Sequence, residues 1–227
     1  MKFIDWFAGV GGFRRGMELA GHECVGFCEF DKYAVMSYTA MHLCTPEQLE
    51  FLSTLPMKER QKEILKDEYR NGEWFANDIR RVYAGDIPDS DCWCFGFPCQ
   101  DISVAGKQLG FTGNRSSLFF RVMYLLGQLE EEKRPTYLFI ENVKNLLNVN
   151  GGWDFARLLV EMDRGGTMHN GRLSTLKIME SHKTGNVVSL LDVLENPIRN
   201  EFSLSKNAQK VFLERFNVML AEKGTEA

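Results

Sequence analysis

Cys99 stands in the stretch Gly96-Phe97-Pro98-Cys99-Gln100-Asp101-Ile102-Ser103, directly after the apolar run Cys92-Trp93-Cys94-Phe95. A buried strand that ends in Gly-Phe-Pro continues neither as helix nor as ladder, so the side chain that follows is presented at a fixed angle. A thiol there, at the carboxyl end of a parallel strand, sits where open α/β sheets bind their ligands and is a candidate nucleophile. The commoner role of a free cysteine is that of a small buried hydrophobe. The loop alone leaves both roles open.

A second stretch, Phe7-Ala8-Gly9-Val10-Gly11-Gly12-Phe13, follows a first strand at Lys2 to Phe7 and precedes a helix through Met17 and Leu19 that ends at Gly21. Strand, glycine-rich turn and helix form a cradle in which backbone N–H groups and a helix N-terminus approach a ligand closely. The dinucleotide fingerprint needs a third glycine at position 14, where Arg14 stands. This favours an adenosine-bearing ligand without a pyrophosphate over a nicotinamide cofactor.

Glu29-Phe30-Asp31 ends a second strand, Cys24 to Cys28. An acidic residue there is placed to accept from ribose hydroxyls, and Phe30 offers a face for an adenine ring. A solvated Glu29 beside an N-capping Asp31 is equally compatible. In Asn77-Asp78-Ile79, Asp78 can accept from an adenine amino group while Ile79 packs on the ring; a turn Asp is the commoner role. A strand-like stretch is expected after Ile79, before the turn at Gly85-Asp86-Ile87-Pro88.

The elements that must position these groups read as an open α/β sheet. Helical patterns run from Asp31 to about Met41 and, broken at Pro56, from Pro46 to Tyr69 as two charged surface helices without assigned function. Val104 to Phe111, glycine-bounded and next to Cys99, has the character of a lid or of an unstructured connection. Arg115-Ser116-Ser117 caps a helix carrying Leu118, Phe119, Val122, Leu125, Leu126 and Leu129. Thr136 to Ile140 is a short continuous apolar strand, as expected for burial on both faces, and Glu141-Asn142-Val143 follows it. Glu141 therefore shares a carboxyl edge with Gly9, Glu29 and Cys99, a constellation that chance produces rarely.

With 227 residues, 44% hydrophobic and 26% charged, the chain has the balance of one soluble domain with a small appendage. No apolar run approaches membrane-spanning length, and the expected compartment is the cytoplasm. The cysteines Cys24, Cys28, Cys44, Cys92, Cys94 and Cys99 form no Cys-x-x-Cys pair, and His22, His42, His169 and His182 are scattered. No metal site is expected; Cys92 and Cys94 point to one face of a strand, and every cysteine but Cys99 is read as core or near-core. The net charge of -4 shows no basic excess. Either there is no nucleic-acid substrate, or the basic surface is local, or the part that carries it is missing.

In order and spacing, Phe7-Ala8-Gly9-Val10-Gly11-Gly12, Gly96-Phe97-Pro98-Cys99-Gln100 and Glu141-Asn142-Val143 resemble the first, fourth and sixth motifs of the DNA (cytosine-5)-methyltransferases. Glu29, Asp78-Ile79 and Arg115-Ser116-Ser117-Leu118-Phe119-Phe120 resemble the second, third and fifth, and the resemblance covers residues 1 to about 163. It implies a Rossmann-like, doubly wound, mostly parallel sheet of the class I methyltransferase type. S-adenosylmethionine would lie over Phe7, Gly9, Val10 and Gly12, with Glu29 on the ribose, Phe30 against the adenine, Asp78 and Ile79 at its edge, and Pro98 and Leu118 at the sides. It further implies double-stranded DNA as partner, a cytosine flipped into the pocket, Cys99 adding to C6, Glu141 at N3, and Gln100 and Ser103 on a loop that meets DNA. A thiolate is both a soft nucleophile and a leaving group, and charge arriving at N3 must be met by a proton donor.

The family's Gln-x-Arg-x-Arg motif does not follow the helix at Trp153 to Met162; the chain reads Asp163-Arg164-Gly165-Gly166 instead. Asn186 to Leu204 resembles the connection after that motif, and Leu204 to Leu220 reads as a lone amphipathic helix. The expected division is therefore residues 1–165 as cofactor-binding and catalytic domain and residues 166–227 as a remnant of the region leading to the target-recognition domain. Two functions compete: a DNA cytosine-5 methyltransferase of restriction-modification type, completed by a second chain, and a non-catalytic fragment or split subunit that binds S-adenosylmethionine or a partner. An unrelated thiol enzyme would need a base near Cys99, and His42 and His169 have no motif context.

Overall fold

The computed structural model describes residues 1–97, 118–143, 157–158, 162, 168–169, 172–173, 176–180 and 187–193. The chain forms two compact units, one of Met1–Gly96 with Leu129–Pro135, the other of Phe97–Gln128 with Thr136–Ala227.

In the first unit, strand β1 (Lys2–Trp6) is followed by helix α1 (Gly12–Leu19), β2 (Glu23–Cys28) and α2 (Lys32–Tyr38). Helices α3 (Pro46–Thr54) and α4 (Met57–Glu63) precede β3 (Trp74–Ala76) and β4 (Cys92–Gly96). All pairings are parallel, in the order β3-β2-β1-β4, with Asp5 opposite Phe27 on one side and Cys94 on the other. Parallel strands covered on both faces lose their alternation, and Phe3, Ile4, Asp5 and Trp6 are accordingly all buried. Trp6 meets Trp74 and Trp93 edge-on, at centroid distances of 5.7 and 5.1 Å. Gly26 permits the β2–β3 pairing: a Cβ there would lie 2.7 Å from the Trp74 ring and 3.0 Å from its carbonyl oxygen. On α2, Tyr38 stacks on Phe27 with ring centroids 4.0 Å apart.

The two helices expected between Pro46 and Tyr69 are present, but the second ends at Glu63 and a 3-10 turn, Asp67–Arg70, takes the rest of the stretch. Thr45 and Gln48 form a reciprocal capping box at the start of α3, and Pro46 takes the first helical position. The third strand is not where the sequence suggested. It lies before Asn77-Asp78-Ile79, and Ile79–Arg81 is a single 3-10 turn. The aromatic pair Trp74-Phe75 finds packing partners in Trp6 and Phe27, whereas Arg80 is exposed and bound to Asp78, so tertiary burial outweighs the local β pattern. The helix expected to Met41 is α2 followed by a π turn, Thr39–Leu43.

The second unit contains α5 (Leu118–Gln128), whose Phe119, Val122, Leu125 and Leu126 are buried as their spacing predicts. Phe97 packs on Phe119 at 5.2 Å between ring centroids. Arg157, Leu158 and Met162 are helical, the last two buried. Strand β5 (Tyr137–Val143) is followed in the chain by β6 (Met168–His169) and β7 (Arg172–Leu173), which among the described residues pair only with each other, and then by β8 (Leu176–Glu180) and β9 (Val187–Val193). β9 runs antiparallel to both β5 and β8. The segment expected as a connection from Asn186 is thus a strand over 187–193. Its run Val187-Val188-Ser189-Leu190-Leu191 is β-rich enough to complete a ladder. Among the described residues no helix is long and apolar enough to cross a membrane.

Candidate cofactor and active site

The carboxyl ends of β1, β2 and β3 lie side by side because the strands are parallel and in register. They carry Phe7–Gly12, Glu29–Asp31 and Asn77–Asp78. The first turn is built from left-handed backbone: Phe7 has φ 55°, Gly9 56° and Gly11 90°. Gly11 is required on two counts. Its φ is one that L side chains rarely adopt, and a Cβ there would stand 2.3 Å from the His42 Nε2. The Ala8 N–H donates to the Cys28 carbonyl at 3.0 Å and the Gly11 N–H to that of Ala8 at 2.8 Å. Val10 is exposed, Phe7 and Gly9 are half-buried, and Gly12 opens α1.

Glu29 ties this turn to its neighbour. Its Oε2 accepts from the Gly9 N–H and its Oε1 from the Asp31 N–H, each at 2.7 Å. A carboxylate oxygen has two acceptor positions, so each oxygen retains one after binding the backbone. Asp31 caps α2 by accepting from the Tyr33 and Ala34 N–H groups, as one reading of the sequence had it. The Glu29 N–H donates to the Ala76 carbonyl at 3.1 Å, which carries the linkage on to β3.

Asp78 caps the 3-10 turn, and its carboxylate takes two 2.8 Å hydrogen bonds from Arg80 Nε and Nη2. Those bonds hold the Asp78 carboxyl below its ordinary range. The Arg80 guanidinium lies 5.5 Å from the centre of the Phe30 ring, whose side chain is 72% exposed. Ile79 is buried beside them. Phe30, Asp78 and Arg80 thus form one cluster next to Glu29.

Sequence reasoning missed a buried polar group under this edge. Arg14 Nη1 donates to Glu73 at 2.6 and 2.9 Å, and its Nε donates to Glu18 at 2.8 Å. The same Nη1 reaches the Tyr38 hydroxyl at 3.3 Å, and the Arg14 N–H meets Asp5 Oδ2 at the same distance. Where the dinucleotide fingerprint has its third glycine, a buried cation fastens α1 to the residue before β3. Only the Arg14/Glu18 spacing of one helical turn signals this in the sequence. Burial raises the Asp5 carboxyl well above the usual carboxylate range, and Asp5 Oδ1 has no hydrogen-bond partner among the described residues.

The cysteines of the first unit are packing residues, as expected. Cys92 and Cys94 place their sulfurs 3.8 Å apart on one face of β4, and burial pushes the thiols of Cys24 and Cys28 up to about 12. Cys99 lies outside the described residues, as do Pro98, Gln100, Ser103, the 104–111 loop, the Arg115-Ser116-Ser117 cap and the helix expected at 204–220.

In the second unit, Leu118 is the half-buried first residue of α5. Glu141 is not beyond the end of its strand but within it, opposite Ser189 of β9. The antiparallel partner extends the ladder to Val143, past the apolar run on which the sequence expectation rested. Burial pushes the Glu141 carboxyl above its ordinary value.

Parallel strands joined through a glycine turn at β1 and an acidic residue after β2 define a Rossmann-like α/β fold. Solved structures agree: Dnmt2 methyltransferase of S. pombe superposes with a TM-score of 0.55 at 15% identity, covering 93% of this chain and 54% of that one. The Entamoeba histolytica methyltransferase EhMeth does so with 0.55 at 15%, covering 90% and 56%. The model of the C-5 cytosine-specific DNA methylases matches residues 1–51 and 55–184, and the chain belongs to that family. It is 38% identical over 152 residues to the Type II methyltransferase M.HhaI of Haemophilus parahaemolyticus, covering 67% of this chain and 36% of that protein. To the DNA-cytosine methyltransferase of Escherichia coli K12 it is 34% identical over 174 residues, covering 73% and 34%. The chain thus spans about a third of the length of these relatives.

Proposed function

We propose that residues 1–165 are the cofactor-binding and catalytic part of a bacterial restriction-modification DNA cytosine-5 methyltransferase, acting on double-stranded DNA in the cytoplasm. The observation that carries the cofactor assignment is the 2.7 Å bond between Gly9 N–H and Glu29 Oε2. It orders the glycine turn and the acidic residue together while leaving acceptor positions on Glu29 for a ribose diol. The cradle fits S-adenosylmethionine: Phe7, Gly9, Val10 and Gly12 form its floor, Glu29 takes the ribose, and Phe30, Asp78 and Ile79 take the adenine. Pro98 and Leu118 are assigned to its sides. The cofactor, when bound, supplies an electrophilic methyl group.

The remaining chemistry belongs to the protein. The Cys99 thiolate adds to C6 of a flipped cytosine, forming a C–S bond and moving electron density to C5 and N3. Glu141, whose burial favours the protonated form, donates to N3 and so meets that charge. After methylation at C5, loss of the C5 proton restores the double bond and expels the thiolate. Gln100 and Ser103 are assigned to contact with DNA. A second chain is proposed to supply the target-recognition domain and the arginines that brace the base.

Calorimetry with S-adenosylhomocysteine tests the cofactor site: binding is expected, and its absence in a folded chain sinks the assignment. Methyl transfer to duplex DNA, lost in Cys99→Ser, tests the chemistry. Transfer that survives the substitution excludes Cys99 as nucleophile.

A further inference from the structure

His42 belongs to the π turn Thr39–Leu43, well separated in sequence from the glycine turn, yet its Nε2 stands 2.9 Å from the Val10 carbonyl oxygen. A carbonyl oxygen only accepts, so Nε2 carries the hydrogen and donates it. The same peptide is held at its other end, where the Gly11 N–H donates to the Ala8 carbonyl at 2.8 Å. Because a peptide unit is planar, fixing its oxygen and its hydrogen sets its rotation, and with it the direction in which the adjoining turn faces. The imidazole also fills the space that a side chain at position 11 would take, a Cβ there lying 2.3 Å from Nε2.

The ring is itself held in place. Tyr38, fully buried and stacked on Phe27, lies 4.9 Å from His42 between ring centroids. The π turn follows α2 without a break, and its wider winding places His42 differently from an α-helical continuation. Single π turns inside helices recur at functional sites.

We propose that His42 is a positioning residue of the cofactor site, setting the Val10–Gly11 peptide plane by donation from Nε2. The inference rests on the reading that Phe7–Gly12 binds S-adenosylmethionine. Two measurements on the 227-residue chain test it. In the unaltered protein, 15N chemical shifts of His42 at a pH where the ring is neutral should report the Nε2–H tautomer; the Nδ1–H tautomer overturns the proposal. In calorimetry with S-adenosylhomocysteine, His42→Ala should bind about fivefold more weakly, the value of one neutral hydrogen bond. His42→Gln, whose amide nitrogen falls near Nε2, should recover most of the loss. An Ala variant with unaltered affinity, or a Gln variant as weak as Ala, overturns it. Failure of the unaltered chain to bind instead removes the cofactor reading, and this inference falls with it.

Discussion

Gly9 and Glu29 are joined across two parallel strands by a hydrogen bond of 2.7 Å from backbone to carboxylate. The acidic residue therefore has a structural duty before any ligand arrives. It holds the glycine turn and, through the Asp31 N–H, the start of α2.

Glu29→Ala should lower S-adenosylhomocysteine affinity by more than tenfold, since charged hydrogen bonds contribute about 1.5–3 kcal/mol. Glu29→Gln keeps only one acceptor oxygen and should fall between Ala and the unaltered chain in calorimetric titration. A Gln variant equal to the unaltered protein would show that one carboxylate oxygen is dispensable.

Gly11→Ala should destabilise the protein by about 2–3 kcal/mol through left-handed strain and the clash with His42. Pairing it with His42→Ala relieves the clash and not the strain, so the double variant should lose less than the sum of the single ones. Urea denaturation of the four proteins measures this, and strict additivity would mean that the ring simply moves aside.

Asp5 has a folded-state pKa raised well above its ordinary 3.8 by burial, so the folded chain binds a proton that the unfolded chain releases. The sign is fixed by linkage: its contribution to stability declines as pH rises above that ordinary value and keeps declining until the folded pKa is passed. Asp5→Asn should flatten this part of the pH dependence when urea midpoints are compared from about pH 4 to about pH 8. An unchanged slope would assign the effect to Glu73 or Glu141, whose pKa values are raised by burial as well.

Arg14→Met leaves Glu73 buried without its cation and should cost about 3–5 kcal/mol, whereas Arg14→Met with Glu73→Gln should recover part of the loss. A double variant as unstable as Arg14→Met alone would mean that Arg14 acts through Glu18 and Tyr38 rather than through Glu73.

The first strand, the glycine turn and α1 were legible because apolar run, glycines and helical spacing follow one another without interruption. Asp31 as helix cap and the inward cysteines of β4 were legible for the same local reasons. β3 was not, because Trp74-Phe75-Ala76 is short and owes its place to Trp6, Phe27 and Gly26, which are distant in sequence. In the sequence Arg14 stands out only as a missing glycine, since its partner Glu73 lies across the helical insertion. The position of Glu141 within its strand is not legible locally, because the strand's end is set by β9 and not by its own residues.

The antiparallel seam between β5 and β9 has a consequence for synthesis. Val187 pairs with Val143, so β5 leaves the ribosome long before the strand that completes this ladder. Non-local pairings of this kind form late, because a long loop must first be closed. A nascent chain halted before Val187 would expose the hydrogen-bonding edge of Tyr137–Val143, the very stretch that carries Glu141.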